Sequence, residues 1–243
     1  DVITLAPLWS RGGDDDPEVM FGIPVGVAAD HAGNVYVLDN QLCQIVALTP
    51  DGQLREYLGR EGEGPGEFRR PNGLIVLPDG AIAAARMIQA RFERLTPTGI
   101  PDGTITLGRD EPQGSAVVLY GAACRGGSLL AATATSSFDQ STGQMDRVQN
   151  LDLHHPDGRL RARLREARFV MDFTGKGRIR EHDLMRCFLL VHAVGPQGRV
   201  SVPRSRDEYL IDVYGSDGKL QRTVGRPGYQ APPRTDRERA RLE

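Results

Sequence analysis

The chain contains few of the residues that mark metal centres, disulfide frameworks or base-stacking surfaces. It has 3 cysteines and 1 tryptophan among 243 residues, and aromatic residues make up 6% of it. Cys43, Cys124 and Cys187 are odd in number and include no C-x-x-C pair. This argues against a structural zinc site and against a disulfide framework, although a single disulfide stays open. The scarcity of aromatic side chains leaves few platforms on which nucleic-acid bases could stack.

Long apolar runs and an excess of one sign of charge are also missing. No run approaches the roughly 20 apolar residues that a transmembrane helix needs. The formal net charge is -2 and the pI is about 6.3. Because so weak a field attracts no polyanion, binding to nucleic acids or to anionic membranes is disfavoured. Hydrophobic residues at 39% and charged residues at 26% are typical of a folded globular protein.

The chain does contain a recurring group of short strand-like segments separated by glycine turns. In the first copy, VYVLD and QIVALTPDG lead to a Pro-Asp-Gly turn, and related turns follow in three later copies. Such turns between apolar runs are typical of β-hairpins. The late turn glycine recurs every 45–60 residues or so, at Gly52, Gly99, Gly158 and Gly218. Four short strands per copy at this spacing predict the blades of a β-propeller.

Two segments carry a specific resemblance. GREGEGPGEFRRPNGLIVLPDG (59–80) resembles the junction between NHL repeats, and GNVYVLDNQLCQIVALTPDG (33–52) resembles the body of such a repeat. The resemblance implies an all-β fold, a six-bladed β-propeller of four-stranded blades, of which about four blades are visible here. We expect one propeller domain over 1–243, with blades at approximately 20–66, 67–112, 113–168 and 185–226.

The mismatch between six implied blades and four visible ones leads to two further expectations. The chain is expected to be partial, because the polar stretch TDRERARLE stands where another blade should begin. Residues 1–12 are a candidate outer strand that would complete a blade from the other end of the chain and so close the ring. A complete four-bladed ring is the alternative.

The glycine-rich stretch GREGEGPGEF is interpreted as a crossing between blades. No helix-forming segment follows it, as a dinucleotide fingerprint requires, and it lacks the G-K-[ST] of a phosphate-binding loop. Glycine permits a sharp turn of the backbone and a large aromatic side chain can anchor the crossing in the core. The residues assigned this structural role are Gly62, Gly64, Pro65, Gly66 and Phe68.

Asp30 and Asp39 are the candidate metal ligands. They bracket the strand GNVYV, where an acid commonly accepts hydrogen bonds from turn amides. In propeller enzymes similar acids gather around the central channel and bind a divalent metal, so calcium or zinc is the metal to consider, and no other cofactor is predicted. Residues 172–183 resemble a calcium-binding loop, but Lys176 stands where a ligand belongs, and a solvated loop between blades is the favoured interpretation.

Three other features of the sequence could form chemical sites but are expected to be structural. His154 and His155 precede a turn and are expected to be exposed at the blade rim, and adjacent residues of a strand cannot jointly hold a metal. Cys124 precedes Arg125, a cation that could lower a thiol pKa, but the sequence locates no base beside it. The arginine-dense stretch 159–169 is expected to be a solvated rim.

The sequence favours a non-enzymatic module that binds a ligand or protein with loops on one face of the propeller. This expectation comes from the lack of a coherent catalytic set in the readable blades. Its partner would be a protein, a peptide or a glycan. The alternative is a propeller hydrolase or lyase with a divalent metal bound in the channel. The resemblance further implies export, to the periplasm, the medium or a lipid anchor.

Overall fold

The computed structural model describes residues 6–13, 15–108, 115–173, 186–205 and 208–229. It contains four antiparallel sheets of four strands, each with its strands in chain order, arranged as a β-propeller with four blades. The predicted all-β propeller fold with four-stranded blades is therefore confirmed. Blade 1 consists of β1 (Pro24–Ala29), β2 (Val35–Asp39), β3 (Gln44–Leu48) and β4 (Leu54–Leu58). Two short strands, β5 (Arg60–Glu61) and β6 (Glu67–Phe68), lie between the blades. Blade 2 consists of β7 (Pro71–Val76), β8 (Ile82–Arg86), β9 (Arg91–Leu95) and β10 (Pro101–Thr106).

Blade 3 has much longer strands than the other blades. Blades 3 and 4 consist of β11 (Ala116–Arg125), β12 (Ser128–Asp139), β13 (Gln144–His154) and β14 (Leu160–Asp172), then β15 (Ala193–Val194), β16 (Val200–Pro203), β17 (Leu210–Tyr214) and β18 (Leu220–Gly225). A four-residue helix, α1 (Cys187–Leu190), precedes blade 4. Among the described residues, no helix has the length and hydrophobicity to cross a membrane.

The core lies between the blades because each sheet presents apolar side chains to its neighbour. Tyr36, Leu38 and Ile45 of blade 1 pack against Leu74 and Ile82 of blade 2. Equivalent clusters lie between blades 2 and 3 and between blades 3 and 4. The first strand of each blade is the inner one, and β1, β7, β11 and β15 contact one another in that order. Sequential packing of inner strands places them around a common axis.

The late turn glycines explain how closely the blades approach. Each lies in the turn between the third and fourth strands and is in the left-handed region of backbone conformation. A Cβ placed on Gly99 would lie 3.0 Å from Leu58 on β4, and one on Gly218 would lie 2.3 Å from Ala162 on β14. Gly99 and Gly218 therefore allow their turns to contact the outer strand of the preceding blade, which a side chain would prevent.

The N-terminal segment lies where blade 1 would otherwise have a preceding blade. A Cβ on Gly52 would lie 2.6 Å from the Trp9 ring, and the Trp9 indole donates a hydrogen bond to the Pro50 carbonyl at 2.9 Å. Trp9, Val19 and Phe21 cover one face of β3 in a small apolar cluster. Residues 6–13 contain no strand and residues 1–5 lie outside the described residues. Ring closure by residues 1–12 stays a prediction.

The glycine-rich stretch forms the crossing from blade 1 to blade 2. Two short parallel strands, β5 (Arg60–Glu61) and β6 (Glu67–Phe68), bracket it. The Phe68 side chain is 1% exposed and packs in the cluster between the two blades. A Cβ on Gly62 would lie 2.0 Å from the Glu67 carboxylate, which accepts hydrogen bonds from the Gly64 amide and from the Arg60 guanidinium, both at 2.9 Å. Glu67 thus ties the tip of the crossing back to its own base.

The arginine-dense strand β14 is only partly the solvated rim that the sequence suggested. Arg165 donates hydrogen bonds to Asp212 and Tyr214 of blade 4. Arg163 donates to the buried Asp152 at 3.0 Å. These guanidinium groups carry hydrogen bonds within blade 3 and between blades 3 and 4, whereas Arg159 and Arg168 are 74% and 66% exposed, so the expected solvated rim describes only part of this stretch. Arginine suits this position because its fork of donors reaches several acceptors at once.

Candidate functional site

The two ends of the propeller differ in what they present. At one end lie the turns between the first and second strands of each blade, and we call this the turn face. At the other end lie the loops between second and third strands together with the blade 1–2 crossing, residues 61–70, and we call this the crossing face. Each face has a cavity of about 620 Å³ in volume.

The cavity at the turn face lies among the inner strands β1, β7 and β11. Its walls are mostly apolar, with Val27, Leu77 and Ala122 among them, and Asp30 and Cys124 are among its polar groups. A mostly apolar concave surface with a few polar groups is typical of a small-molecule site. His31 and Arg125 also line it, and Asp30 and Cys124 are the carboxylate and the thiol whose surroundings decide what they can do there.

Asp30 is fully engaged in holding a turn. Its carboxylate accepts hydrogen bonds from the backbone amides of Ala32 and Asn34, both at 2.9 Å, and from the Tyr36 hydroxyl at 3.1 Å. Burial alone would raise the pKa of Asp30, but hydrogen bonds from Asn34, Tyr36 and Ala32 outweigh it and lower the pKa. The carboxylate is therefore an acceptor that fixes the β1–β2 hairpin.

Asp39 lies at the opposite end of the same hairpin. Pro24 pairs with Asp39 whereas Ala29 pairs with Val35, so the length of β2 separates Asp39 from Asp30. The Asp39 side chain is buried and accepts hydrogen bonds from four backbone amides, those of Gly22, Ile23, Gln41 and Leu42. The structure does not bring the two candidate metal ligands together.

Metal binding by Asp30 or Asp39 accordingly stays a prediction, with each carboxylate already satisfied by backbone donors. Within the described ranges, no group of three or more His, Cys, Asp or Glu side chains is arranged to hold a metal ion. The calcium-loop-like stretch 172–183 lies almost entirely outside the described residues, which end at 173 and resume at 186.

The surroundings of His154 and of the three cysteines are defined in the described part of the chain. His154 was expected at the exposed rim, but its side chain is buried, with Nδ1 3.0 Å from the Gly158 carbonyl, so that expectation is wrong. Cys43, Cys124 and Cys187 are all free thiols. The open question of a disulfide is thereby answered for this structure.

Cys124 is expected to react slowly, because burial and, to a smaller degree, the Asp79 carboxylate raise the pKa of its thiol to about 11. Only the thiolate is the nucleophile. At pH 8 the folded chain should be alkylated by iodoacetamide at Cys124 at least ~30-fold more slowly than the chain unfolded in urea. Mass spectrometry of the peptides reads each cysteine separately. Equal rates in the folded and unfolded chains would contradict this.

The cavity at the crossing face has a different chemical character. It is lined by charged side chains, among them Glu63, Arg70 and Arg86, and by the exposed apolar side chains of Met87 and Ile88. The loop that carries Met87 and Ile88 is anchored on blade 3, because Ile88 forms a β-bridge with Val118 of β11. The cavity is therefore built by the blade 1–2 crossing and by the end of β8 with the loop that follows it, and blade 3 holds that loop in place.

Non-glycine residues in the left-handed region cluster around this cavity. Arg70 has a φ of 47°, Gln89 a φ of 77° and Ala90 a φ of 44°. For such residues this conformation costs of order 1–3 kcal/mol each, and it persists only where the surrounding structure enforces it. Of the four non-glycine residues with positive φ in the described chain, three lie in or beside this one cavity, and the fourth is Cys43.

Arg86 occupies the position in blade 2 that Asp39 occupies in blade 1. Asp39 pairs with Pro24 at the start of β1, and Arg86 pairs with Pro71 at the start of β7. In blade 1 the acid satisfies the loop amides, whereas in blade 2 a guanidinium group takes its place. The sequence contains this signal as Leu38-Asp39 in the first copy against Ala85-Arg86 in the second.

Comparisons with known proteins give fold-level similarities. No protein-family model and no curated protein matches the chain. A catalytically inactive virginiamycin B lyase from Staphylococcus aureus has 16% identity over 84% of this chain, with a TM-score of 0.43, and this chain spans 56% of the lyase. A streptogramin B lyase structure has 10% identity over 84% of this chain and 68% of its own length, with a TM-score of 0.39.

A third similar structure is a Bacteroides fragilis protein whose name describes it as exported. It has 10% identity, covers 85% of this chain and 51% of its own length, and has a TM-score of 0.49. Because one fold hosts many unrelated activities, similarities of this size carry no substrate or ligand over to this chain. The chain is a β-propeller, and its NHL-repeat assignment, the six-bladed ring and export stay predictions.

Proposed function

We propose that this propeller is a non-enzymatic binding module that takes a peptide segment of a protein partner on its crossing face. The observation that carries the proposal is the cavity built by the crossing and the Met87–Ile88 loop. Exposed apolar side chains lie there beside charged ones on a backbone held in a strained conformation. That combination is typical of surfaces that recognise chains by both burial and charge.

The neighbouring hairpin of blade 3 enlarges this surface. Strands β12 and β13 continue past the other blades and end at a turn that follows Asp139. Phe138 and Phe173 lie near that tip, 54% and 52% exposed, with ring centroids 6.2 Å apart. Because this turn joins the second and third strands of its blade, it projects on the crossing face. Exposed aromatic side chains on the same face as a charged cavity favour a peptide partner over a bare ion.

Selection from a display library of random 12-residue peptides tests the proposal. Wild-type protein should retain a defined set of peptides. Ile88→Asp places a charge in the cavity at an exposed site and should abolish their retention. Leu220→Asp is the matched control, because Leu220 is similarly exposed, at 53% against 64%, but lies on the outer strand of blade 4. Failure to select any peptide, or equal loss with both variants, would overturn the proposal.

The competing hypothesis of a metal-dependent hydrolase or lyase is separated by a second measurement. Purified protein is analysed for bound metals, and its thermal unfolding is followed with and without EDTA. A binding module that needs no metal should show no shift of its midpoint on addition of EDTA. Stoichiometric calcium or zinc together with a lowered midpoint would favour the enzyme.

A further inference from the structure

We infer that Arg86 and Arg70 form a carboxylate-binding site within the crossing-face cavity, so that the peptide partner is acidic at the position that enters it. This inference rests on the proposed function and adds the chemical class of the ligand. It comes from the pairing of charges in the cavity, from the burial of one guanidinium nitrogen, and from the break in the blade repeat described above.

Charges in the cavity are unequally paired. Arg69 donates a hydrogen bond to Glu63 at 2.6 Å, and these two groups neutralise each other. This hydrogen bond lowers the pKa of the Glu63 carboxyl, and the nearby charge of Arg86 contributes to the same effect. Glu61 is the other acid of the lining. With Arg70 and Arg86 set against Glu61 alone, the cavity keeps an excess of one positive charge.

One nitrogen of the Arg86 guanidinium group is buried and has no hydrogen-bond partner among the residues that the structure describes. Within the described part of the chain its Nε is buried and donates no hydrogen bond, and neither Arg86 nor Arg70 takes part in a hydrogen bond or ion pair between side chains. An unsatisfied buried donor costs roughly 1–3 kcal/mol. Because Nε itself is out of solvent, a ligand oxygen would meet the terminal nitrogens of the same guanidinium group, which have no side-chain partner among the described residues.

The guanidinium group selects the shape of the ligand. Its donors lie in one plane and match the two oxygens of a carboxylate in a bidentate pair. The Met87 and Ile88 side chains border the same cavity and are 47% and 64% exposed. An Asp or Glu side chain flanked by an apolar residue would satisfy both features at once.

Backbone conformation fixes the second arginine. Arg70 is held at a φ of 47° immediately before Pro71, the first residue of β7. Since β7 is paired with β8 through Pro71 and Arg86, the two arginines start from neighbouring points of one sheet. A site on paired strands is more rigid than one on a free loop, which favours specific recognition.

The test uses fluorescein-labelled copies of the selected 12-residue peptides, each with its acids either intact or changed to the corresponding amides. Binding is measured by fluorescence anisotropy. On wild-type protein the amide form should bind at least ~10-fold more weakly. Arg86→Gln should weaken binding of the acidic form by a similar factor and leave the affinity for the amide form unchanged. Arg86→Lys should restore only part of the affinity, because an ammonium group lacks the fork.

Arg222→Gln is the matched control, because it removes the same charge from an exposed position on β18. It should change neither affinity. Should Arg86→Gln fail to fold, Arg70→Gln provides the same comparison at an exposed residue. A different outcome is that the Ile88→Asp variant fails to retain the peptides while the wild type binds their acid and amide forms equally well. That result would overturn the carboxylate site and leave the proposed function standing. If no peptide binds at all, the proposed function fails first.

Discussion

Replacing Asp212 with asparagine should lower the free energy of unfolding by about 3 kcal/mol. Its side chain is 3% exposed and accepts hydrogen bonds from Arg204 at 2.8 Å, from the Thr223 hydroxyl at 2.6 Å and from Arg165. Arg165 belongs to β14 of blade 3, so this carboxylate joins two blades. Asparagine keeps the shape but removes the charge, which leaves two guanidinium groups without their counterion.

Urea unfolding followed by circular dichroism measures the loss, because this signal reports on all four sheets. Asp146→Asn is the matched control. Asp146 also pairs with an arginine of β14, Arg168, but their side chains are 30% and 66% exposed. An exposed pair of this kind contributes about 1 kcal/mol or less. Equal losses in the two variants would show that the Asp212 cluster is no more than another surface pair.

The same cluster gives the stability a definite acid dependence. Burial would raise the pKa of Asp212, but hydrogen bonds from Arg204, Thr223 and Arg165 outweigh it and lower the pKa from 3.8 to about 2. Because the folded state binds this proton less readily than the unfolded state, the contribution is complete above pH 3.8 and is lost as the pH falls towards 2. The wild type should therefore lose its advantage over Asp212→Asn within that window.

The sequence predicted the propeller because its strongest signals are local. A turn glycine followed by alternating apolar residues specifies a hairpin without reference to the rest of the chain. The inter-blade contacts are not local. Arg163 and Arg165 lie in a stretch that by composition is indistinguishable from a solvated rim, yet they bond to Asp152 and Asp212. Only the folded arrangement shows which acids face them.

The residues of the candidate site also depend on non-local contacts that the sequence does not show. Asp30 and Asp39 were obvious in the sequence because acids at strand ends suggest either turns or metals, and both accept hydrogen bonds from loop amides here. Arg86 was visible only as the residue that replaced an acid. Its importance depends on the burial of Nε and on the left-handed backbone at Gln89 and Ala90, neither of which a residue type encodes.

Gly158→Ala should destabilise the protein by about 3 kcal/mol or more, through strain and a clash with an adjacent blade. Gly158 has a φ of 90°, and a Cβ there would lie 2.5 Å from the Thr106 carbonyl oxygen at the end of β10. That backbone cannot retreat easily. Thr106 pairs with Arg91, and the Gly158 carbonyl accepts a hydrogen bond from the Gly108 amide at 2.8 Å.

Gly103→Ala separates the two causes. Gly103 has a φ of 85°, close to that of Gly158, but no atom lies within 4 Å of the position of its Cβ. The free energy of unfolding of Gly103→Ala should therefore fall only by the cost of the backbone conformation, about 1 kcal/mol. Urea unfolding of both variants gives the difference, which measures what the close approach of blade 3 to blade 2 requires. If both variants lost the same amount, the glycines at these turns would serve the turn conformation alone and not the contact between blades.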